Sequence, residues 1–134
     1  MLLNAYITID GSCAEALEYY KKVFGGEITR INYYKESPEN IPDNFKDKIM
    51  HSELKFETSY LMLADKHPDC TVDIGNNISI SVILDRKEDL NNSFNLLAKE
   101  GKVSMQLQKM HWGSIFGIVI DKYNITWMLS CVIK

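Results

Sequence analysis

Apolar and polar positions recur along this chain with two different periods, and the switches between them mark its elements. Leu2–Ile9 is short and rich in Ile, Tyr and Thr, the composition of a strand. Asp10-Gly11 turns the chain, and Ser12-Cys13-Ala14-Glu15 has the spacing of a capping box, in which Ser12 and Glu15 each satisfy an orphan backbone donor. Cys13, Leu17, Tyr20 and Phe24 follow on one face of a helix, and Gly25-Gly26 supplies the left-handed stop. Glu27–Tyr34 is strand-like again. Lys35–Lys48 carries Pro38, Pro42 and several Asn and Asp residues, which predicts a long surface loop. Ile49–Phe56 and Tyr60–Ala64 are predicted as two strands joined at Glu57-Thr58-Ser59. A second connection, Lys66–Asn76, contains Pro68 and Gly75.

The order then starts again. Ile78, Ile80 and Val82 alternate with Asn77, Ser79 and Ser81, a period-two strand with one polar face. Asp85-Arg86-Lys87-Glu88 offers an Asp cap with Glu three residues on. Leu90, Phe94 and Leu97 supply a helical stripe and Gly101 the stop, before strand-like runs at Lys102–Gln108, Ile115–Ile120 and Thr126–Val132. The element order is therefore β-α-β-β-β twice. Gly26-Glu27-Ile28 aligns with Gly101-Lys102-Val103 at an offset of 75 residues. The fold class expected is α+β, one domain over residues 1–134 built of two βαβββ modules, about 1–65 and about 76–134. The order of elements suggests open curled sheets around a cleft.

Composition narrows the function. Fifteen Lys plus Arg against 18 Asp plus Glu give a net charge of −3, so there is no basic surplus to hold nucleic acid. The longest apolar stretches, as in Ile115–Ile120 and Trp127–Ser130, are far too short to span a bilayer. The N-terminus shows no charged segment followed by an apolar one. No membrane partner and a cytoplasmic location are the expectations. Cys13, Cys70 and Cys131 form an odd set with no Cys-x-x-Cys pair, which predicts buried or idle thiols rather than a disulfide framework or zinc knuckle. No Ser-His-Asp order, Cys-His dyad or phosphate loop emerges.

Several segments resemble one family. Ala16-Leu17-Glu18-Tyr19-Tyr20-Lys21-Lys22-Val23-Phe24-Gly25-Gly26 is similar, nearly residue for residue, to the first-helix signature of the glyoxalase/bleomycin-resistance superfamily, also called the vicinal oxygen chelate fold. His51-Ser52-Glu53-Leu54 and Leu61-Met62-Leu63-Ala64-Asp65 resemble the "H-x-x-L" and "M-x-x-D" strands of its PhnB-like branch. Gly101-Lys102-Val103-Ser104-Met105, Trp112-Gly113, Phe116-Gly117, Asp121-Lys122-Tyr123 and Trp127-Met128 match the C-terminal half of that branch closely. The resemblance covers essentially the whole chain. Relatives on this branch carry a demethylubiquinone methyltransferase-like label. The seven glycines here contain no G-x-G-x-G run, and the chain has too few βα repeats for a doubly wound methyltransferase sheet.

The resemblance also implies where a site should lie. Metal-dependent members hold a divalent ion with His and Glu side chains, one each from strands one, four, five and eight, and the corresponding positions here are Ala5, Met62, Asn77 and Met128. Alanine donates nothing, a thioether is a poor ligand for a hard cation, and an amide is neutral. The family's metal site is expected to be absent, with no cofactor, no glyoxalase-type isomerase and no extradiol-type dioxygenase. A displaced site is the alternative, since His51 and Glu53 alternate on one strand face and His111 or His67 would add a third ligand. Against it stand a solvated His67 in its Pro-Asp loop and a His111 that caps a turn. Asp65 reads either as a turn former or as a binding residue.

Replacing ligands by Ala and Met leaves an apolar cleft floor able to conform to an irregular or planar molecule. The candidate ligand-binding residues are His51, Met62, Asn77, Ser79, Trp112, Phe116 and Met128. Three functions follow. The first is a metal-free protein that binds a small apolar or planar organic molecule. The second is an enzyme on the same fold with His51 as general base, with or without a recruited divalent ion. The third is a ligandless dimeric scaffold. A homodimer is what the resemblance implies.

Overall fold

Helix α1 (Cys13–Phe24) buries Cys13, Ala16, Leu17, Tyr20 and Val23, so Ala16 and Val23 join the face that the helical spacing predicts while Phe24, at its end, is only half-buried. In the computed structural model, which describes residues 1–133, this helix follows strand β1 (Ala5–Ile9) and leads into β2 (Glu27–Tyr33), β3 (Ile49–Lys55) and β4 (Tyr60–Asp65). The same series repeats as β5 (Ser79–Leu84), α2 (Lys87–Lys99), β6 (Lys102–Lys109), β7 (Ser114–Ile120) and β8 (Thr126–Val132). The fold is α+β with two βαβββ modules, as the sequence predicts. The segment between β2 and β3 holds two single 3₁₀ turns, Tyr34–Glu36 and Asp43–Phe45, where the sequence predicts only loop.

Two compact units result, Met1–Asp73 and the chain from Ile74 onward. Each contains one four-stranded mixed sheet, in the order β1-β4-β3-β2 in the first and β5-β8-β7-β6 in the second. β1 runs parallel to β4 and β5 parallel to β8, while the other pairings are antiparallel. Neither sheet closes on itself, so no closed barrel forms within a unit.

Each sheet buries one face. In the first unit Ile7, Ile9, Leu54, Leu61 and Leu63 join the inner side of α1. In the second, Leu90, Phe94 and Leu97 of α2 join Val119, Trp127, Leu129 and Cys131. The helix-to-strand junctions at Gly26 and Gly101 are alike in their steric demand. A Cβ on Gly26 would lie 2.8 Å from the carbonyl oxygen of Lys55, and one on Gly101 would lie 2.3 Å from that of Ile120. Only glycine lets the incoming strand lie that close to its neighbour.

The helix caps differ from the sequence expectation. Ser12 occupies the N-cap position of α1, but its side chain makes no capping bond. Asp65, at the end of β4, takes that role: its Oδ1 accepts the Cys13 N–H at 2.9 Å and its Oδ2 accepts the Ile49 N–H at 2.9 Å. A carboxylate beside a helix N-terminus also complements the dipole there. Helix α2 is capped by Arg86 rather than Asp85, again with no side-chain capping bond, and Arg86 pairs with Glu88 at 2.6 Å. In the second unit the buried Asp121 serves the tight turn after β7. Its Oδ1 accepts the N–H groups of Tyr123 and Ile125, and its Oδ2 accepts the indole N–H of Trp127 at 2.8 Å.

Replacing Asp65 by Ala strands two buried backbone donors. Each unsatisfied group costs about 1–3 kcal/mol, so we expect Asp65→Ala to lose about 3 kcal/mol of unfolding free energy. The Asn variant, which keeps one acceptor oxygen, should lose less. Urea denaturation with an unchanged slope reads this directly; a loss below about 1 kcal/mol would mean that water replaces the carboxylate.

Candidate functional site

Strand alternation leaves each sheet a second face, turned away from its own helix. In the first unit this open face carries Tyr6 and Thr8 of β1, Met62 and Ala64 of β4, and His51 and Glu53 of β3. Arg30 and Asn32 of β2 lie opposite Glu53 and His51 in register. Register puts Tyr6 beside Met62 and Met62 beside Glu53.

Three of these side chains form a hydrogen-bonded chain. The Tyr6 hydroxyl lies 2.9 Å from His51 Nδ1, and His51 Nε2 lies 2.8 Å from Glu53 Oε2. The Tyr6 and His51 rings are stacked, with centroids 5.6 Å apart. Because β4 separates β1 from β3, Tyr6 reaches His51 across that strand, roughly two strand spacings of 4.8 Å each. Tyr6 remains about half exposed, at 49%. Burial of the remainder raises its phenol pKa, and Cys13 and Glu53 raise it further, so the phenol holds its proton. On β2, Arg30 Nε donates to Asn32 at 2.7 Å and Asn32 donates to Glu36 at 3.2 Å.

Beneath this face Cys13 is fully buried, its Sγ 4.0 Å from Ser52 Oγ. Burial first, and then the charge of Asp65, push its thiol pKa up to about 12. It is an inert core thiol, as the sequence predicts for Cys13. Cys131 is buried as well, whereas Cys70 is exposed.

The open face of the second sheet is different in kind. Met128 of β8 lies beside Ile118 of β7 on one side and Ser81 of β5 on the other. The next pairs along are Ser130 with Phe116 and Ser130 with Ile83. Ser79 pairs with Thr126. Trp112, in the turn before β7, is 56% exposed and meets Phe116 edge to face with centroids 5.9 Å apart. His111 in turn contacts Trp112 at 5.0 Å. Small hydroxyls thus alternate with apolar groups on this surface, and no charged side chain lies among these pairs.

Two positions carried over from the family pattern lie elsewhere than expected. Ala5 shares the helix-facing side of β1 with Ile7 and Ile9, so Tyr6 is the first-strand residue beside Met62. Asn77 lies in an exposed bend before β5 instead of within the strand. Met62 and Met128 do lie on open faces. Glu53 pairs with His51, but His67 is held in its own loop by Glu39 at 3.2 Å and by the Asp69 N–H at 3.2 Å. His67 is therefore not simply solvated. Among the described residues no three His, Cys, Asp or Glu side chains converge as metal donors. The groups at the positions that face outward, the protonated Tyr6 phenol and the thioethers of Met62 and Met128, with Asn77 in an exposed bend, do not make a donor set for a hard divalent ion. Asp65 faces the helix and serves the fold. Tyr6 is the residue that sequence reasoning missed, and the alternation of Ala5, Ile7 and Ile9 against Tyr6 and Thr8 was the available signal.

The sequence profile of the glyoxalase/bleomycin resistance protein/dioxygenase superfamily matches residues 3–129. The chain belongs to that superfamily. Within the superfamily it is 29% identical to protein YjdN of Escherichia coli K12, over 98% of this chain and 96% of that one. Protein PA1353 of Pseudomonas aeruginosa superposes with a TM-score of 0.89 at 33% identity, covering 98% of both chains. A PhnB protein of Bacillus cereus, whose name also carries 3-demethylubiquinone-9 3-methyltransferase, gives a TM-score of 0.80 at 22% identity, covering 98% of this chain and 100% of that one. The superfamily fold thus extends over the two repeated modules. The PhnB-like resemblance read from the sequence is matched in these relatives.

Thiol chemistry checks the burial pattern. A maleimide or disulfide reagent at neutral pH should label Cys70 alone within minutes, with Cys13 and Cys131 protected until the chain unfolds. The thiol of Cys13 ionises near its ordinary value of 9.0 when unfolded and at about 12 when folded. Its contribution to stability is full below the lower value and is lost as pH rises toward the upper one. Denaturation midpoints should fall over that alkaline window, and by less in Cys13→Ala relative to its own neutral-pH value.

Proposed function

We propose that this glyoxalase-superfamily protein binds a small apolar or planar organic molecule without the family's divalent ion. Each open face stands by itself: the candidate contacts are His51 and Met62 on the first sheet, and Ser79, Phe116 and Met128 on the second, with Trp112 in a turn and Asn77 in a bend of that unit. The observation that carries this reading is the second sheet's open face, where Met128, Ile118 and Phe116 alternate with the hydroxyls of Ser81 and Ser130. Thioether and aromatic groups conform to flat ligands, and a few hydroxyls fix orientation. A doubly wound methyltransferase sheet is not what these two mixed sheets form.

The test is a thermal-shift screen with planar aromatic compounds, in chelator and again with added Mn²⁺ or Zn²⁺. A ligand at about a hundred times its Kd adds about 2.7 kcal/mol, enough to raise Tm by several degrees. Binding should quench the exposed Trp112 rather than the buried Trp127, so Trp112→Phe should abolish the quench. Chelator should leave affinity unchanged, and Met128→Lys should weaken it about tenfold or more. Binding that needs the metal, or a screen in which no compound shifts Tm, overturns the proposal.

A second reading is an enzyme with His51 as general base, favoured by the partners on both imidazole nitrogens. It requires a rate that changes with pH through the imidazole range and falls in His51→Ala. A flat profile or full activity in that variant removes it.

A further inference from the structure

The tautomer of His51 follows from its partners. As a carboxylate Glu53 only accepts, so His51 Nε2 carries the hydrogen donated across the 2.8 Å contact. In the neutral imidazole Nδ1 is then a bare acceptor, and the Tyr6 O–H donates into it over 2.9 Å. Tyr6 thus turns its proton inward and leaves lone pairs for whatever approaches its exposed side. The arrangement has the logic of a hydroxyl–imidazole–carboxylate chain, with a phenol as the outermost group.

From this chain we infer that Tyr6, His51 and Glu53 form a proton relay that binds a weakly acidic hydroxyl compound, a phenol or an enol, as its anion. The ligand O–H gives its proton to the Tyr6 oxygen as Tyr6 passes its own proton to His51 Nδ1. The ligand leaves this step as an oxyanion held by the Tyr6 O–H. His51 becomes an imidazolium whose Nε2–H stays on Glu53, so two protons each move one place and the total charge is unchanged. The inference rests on the proposed small-molecule binding, taken at the first sheet's open face, and gives a ligand there a chemical class.

The surroundings suit the relay. Burial disfavours a Tyr6 phenolate, so Tyr6 conducts the proton and does not keep the charge. From β2, Asn32 faces His51 and Arg30 faces Glu53, but Arg30 is bonded to Asn32, and Asn32 to Glu36. From β4 the neighbour is the uncharged Met62. Beneath the sheet, burial and Asp65 push the Cys13 thiol of α1 up to about 12, so at neutral pH it adds no charge beside Tyr6. Glu53 is therefore the charged group in hydrogen-bond contact with the imidazole.

4-Nitrophenol tests the relay, because its anion and its neutral form absorb at different wavelengths. In a buffer below the dye's own pKa, adding the protein should convert bound dye to the anion, seen as a saturable rise of the anion band. In His51→Gln, the ionised fraction of bound dye should fall about tenfold or more, the effect of one pKa unit. Tyr6→Phe should lose the band likewise, and Glu53→Gln should reduce it. Equilibrium dialysis reads dye retention separately, with 4-nitroanisole, which has no acidic proton, as the control. Retention of 4-nitrophenol without the anion band, or a band unchanged in His51→Gln, overturns the relay and leaves small-molecule binding standing. Retention of 4-nitroanisole alone does the same. Retention of neither dye overturns both.

Discussion

One buried carboxylate organises the first unit. Asp65 closes β4, caps α1 through Cys13 and fixes the start of β3 through Ile49. Its backbone oxygen also receives the Tyr34 hydroxyl at 2.8 Å, which holds the chain as it leaves β2. Three connections thus meet at one residue that is 2% exposed. A carboxylate is costly to bury unless its oxygens are hydrogen-bonded, and here both are. Ser52, equally buried, donates to the Leu63 carbonyl, and no buried side-chain polar atom among the described residues lacks a partner. The position of His51, two residues beyond the pinned Ile49, follows from that anchorage. Asp121 does comparable work in the second unit, joining a turn to the indole of Trp127.

Placing a single helix on one side of each sheet leaves the other side free for chemistry. Sequence then gives the two open faces different characters. The first concentrates titratable groups, Tyr6, His51 and Glu53, around one methionine. The second spreads methionine, isoleucine and phenylalanine among serines and carries the exposed Trp112. One fold, repeated, therefore presents one surface of titratable groups and one of apolar groups and hydroxyls. This division is consistent with a scaffold on which function is set by which residues occupy the outward positions.

Much of this was legible in the sequence. Period-two runs and helical stripes located the eight strands and two helices to within a few residues, and Thr126–Val132 matched to the residue. The i, i+2 spacing of His51 and Glu53 showed their shared face. Local capping rules misled at Ser12 and Asp85, because a distant carboxylate competed for the first helix and the second began one residue later. The first-strand position slipped by one. Ala5 stood where Tyr6 belongs, and in a strand a slip of one residue changes the face. Asn77 lies outside the strand to which the family pattern assigns it, since β5 starts two residues beyond it. The Tyr6–His51 contact had no local signature, because the two residues are 45 positions apart and a third strand runs between theirs.

That intervening strand makes the outermost tyrosine conditional. β2, β3 and β4 form a run of neighbours connected in sequence, whereas β1 lies at the sheet's edge with β4 as its one strand partner. An edge strand is the part of a sheet that opens at least cost, well short of global unfolding. When β1 peels away, His51 and Glu53 keep their pairing on an intact three-stranded remnant, but the phenol departs. The completed chain therefore requires the pairing of one N-terminal strand, and a ligand seated on Tyr6 would fasten that edge.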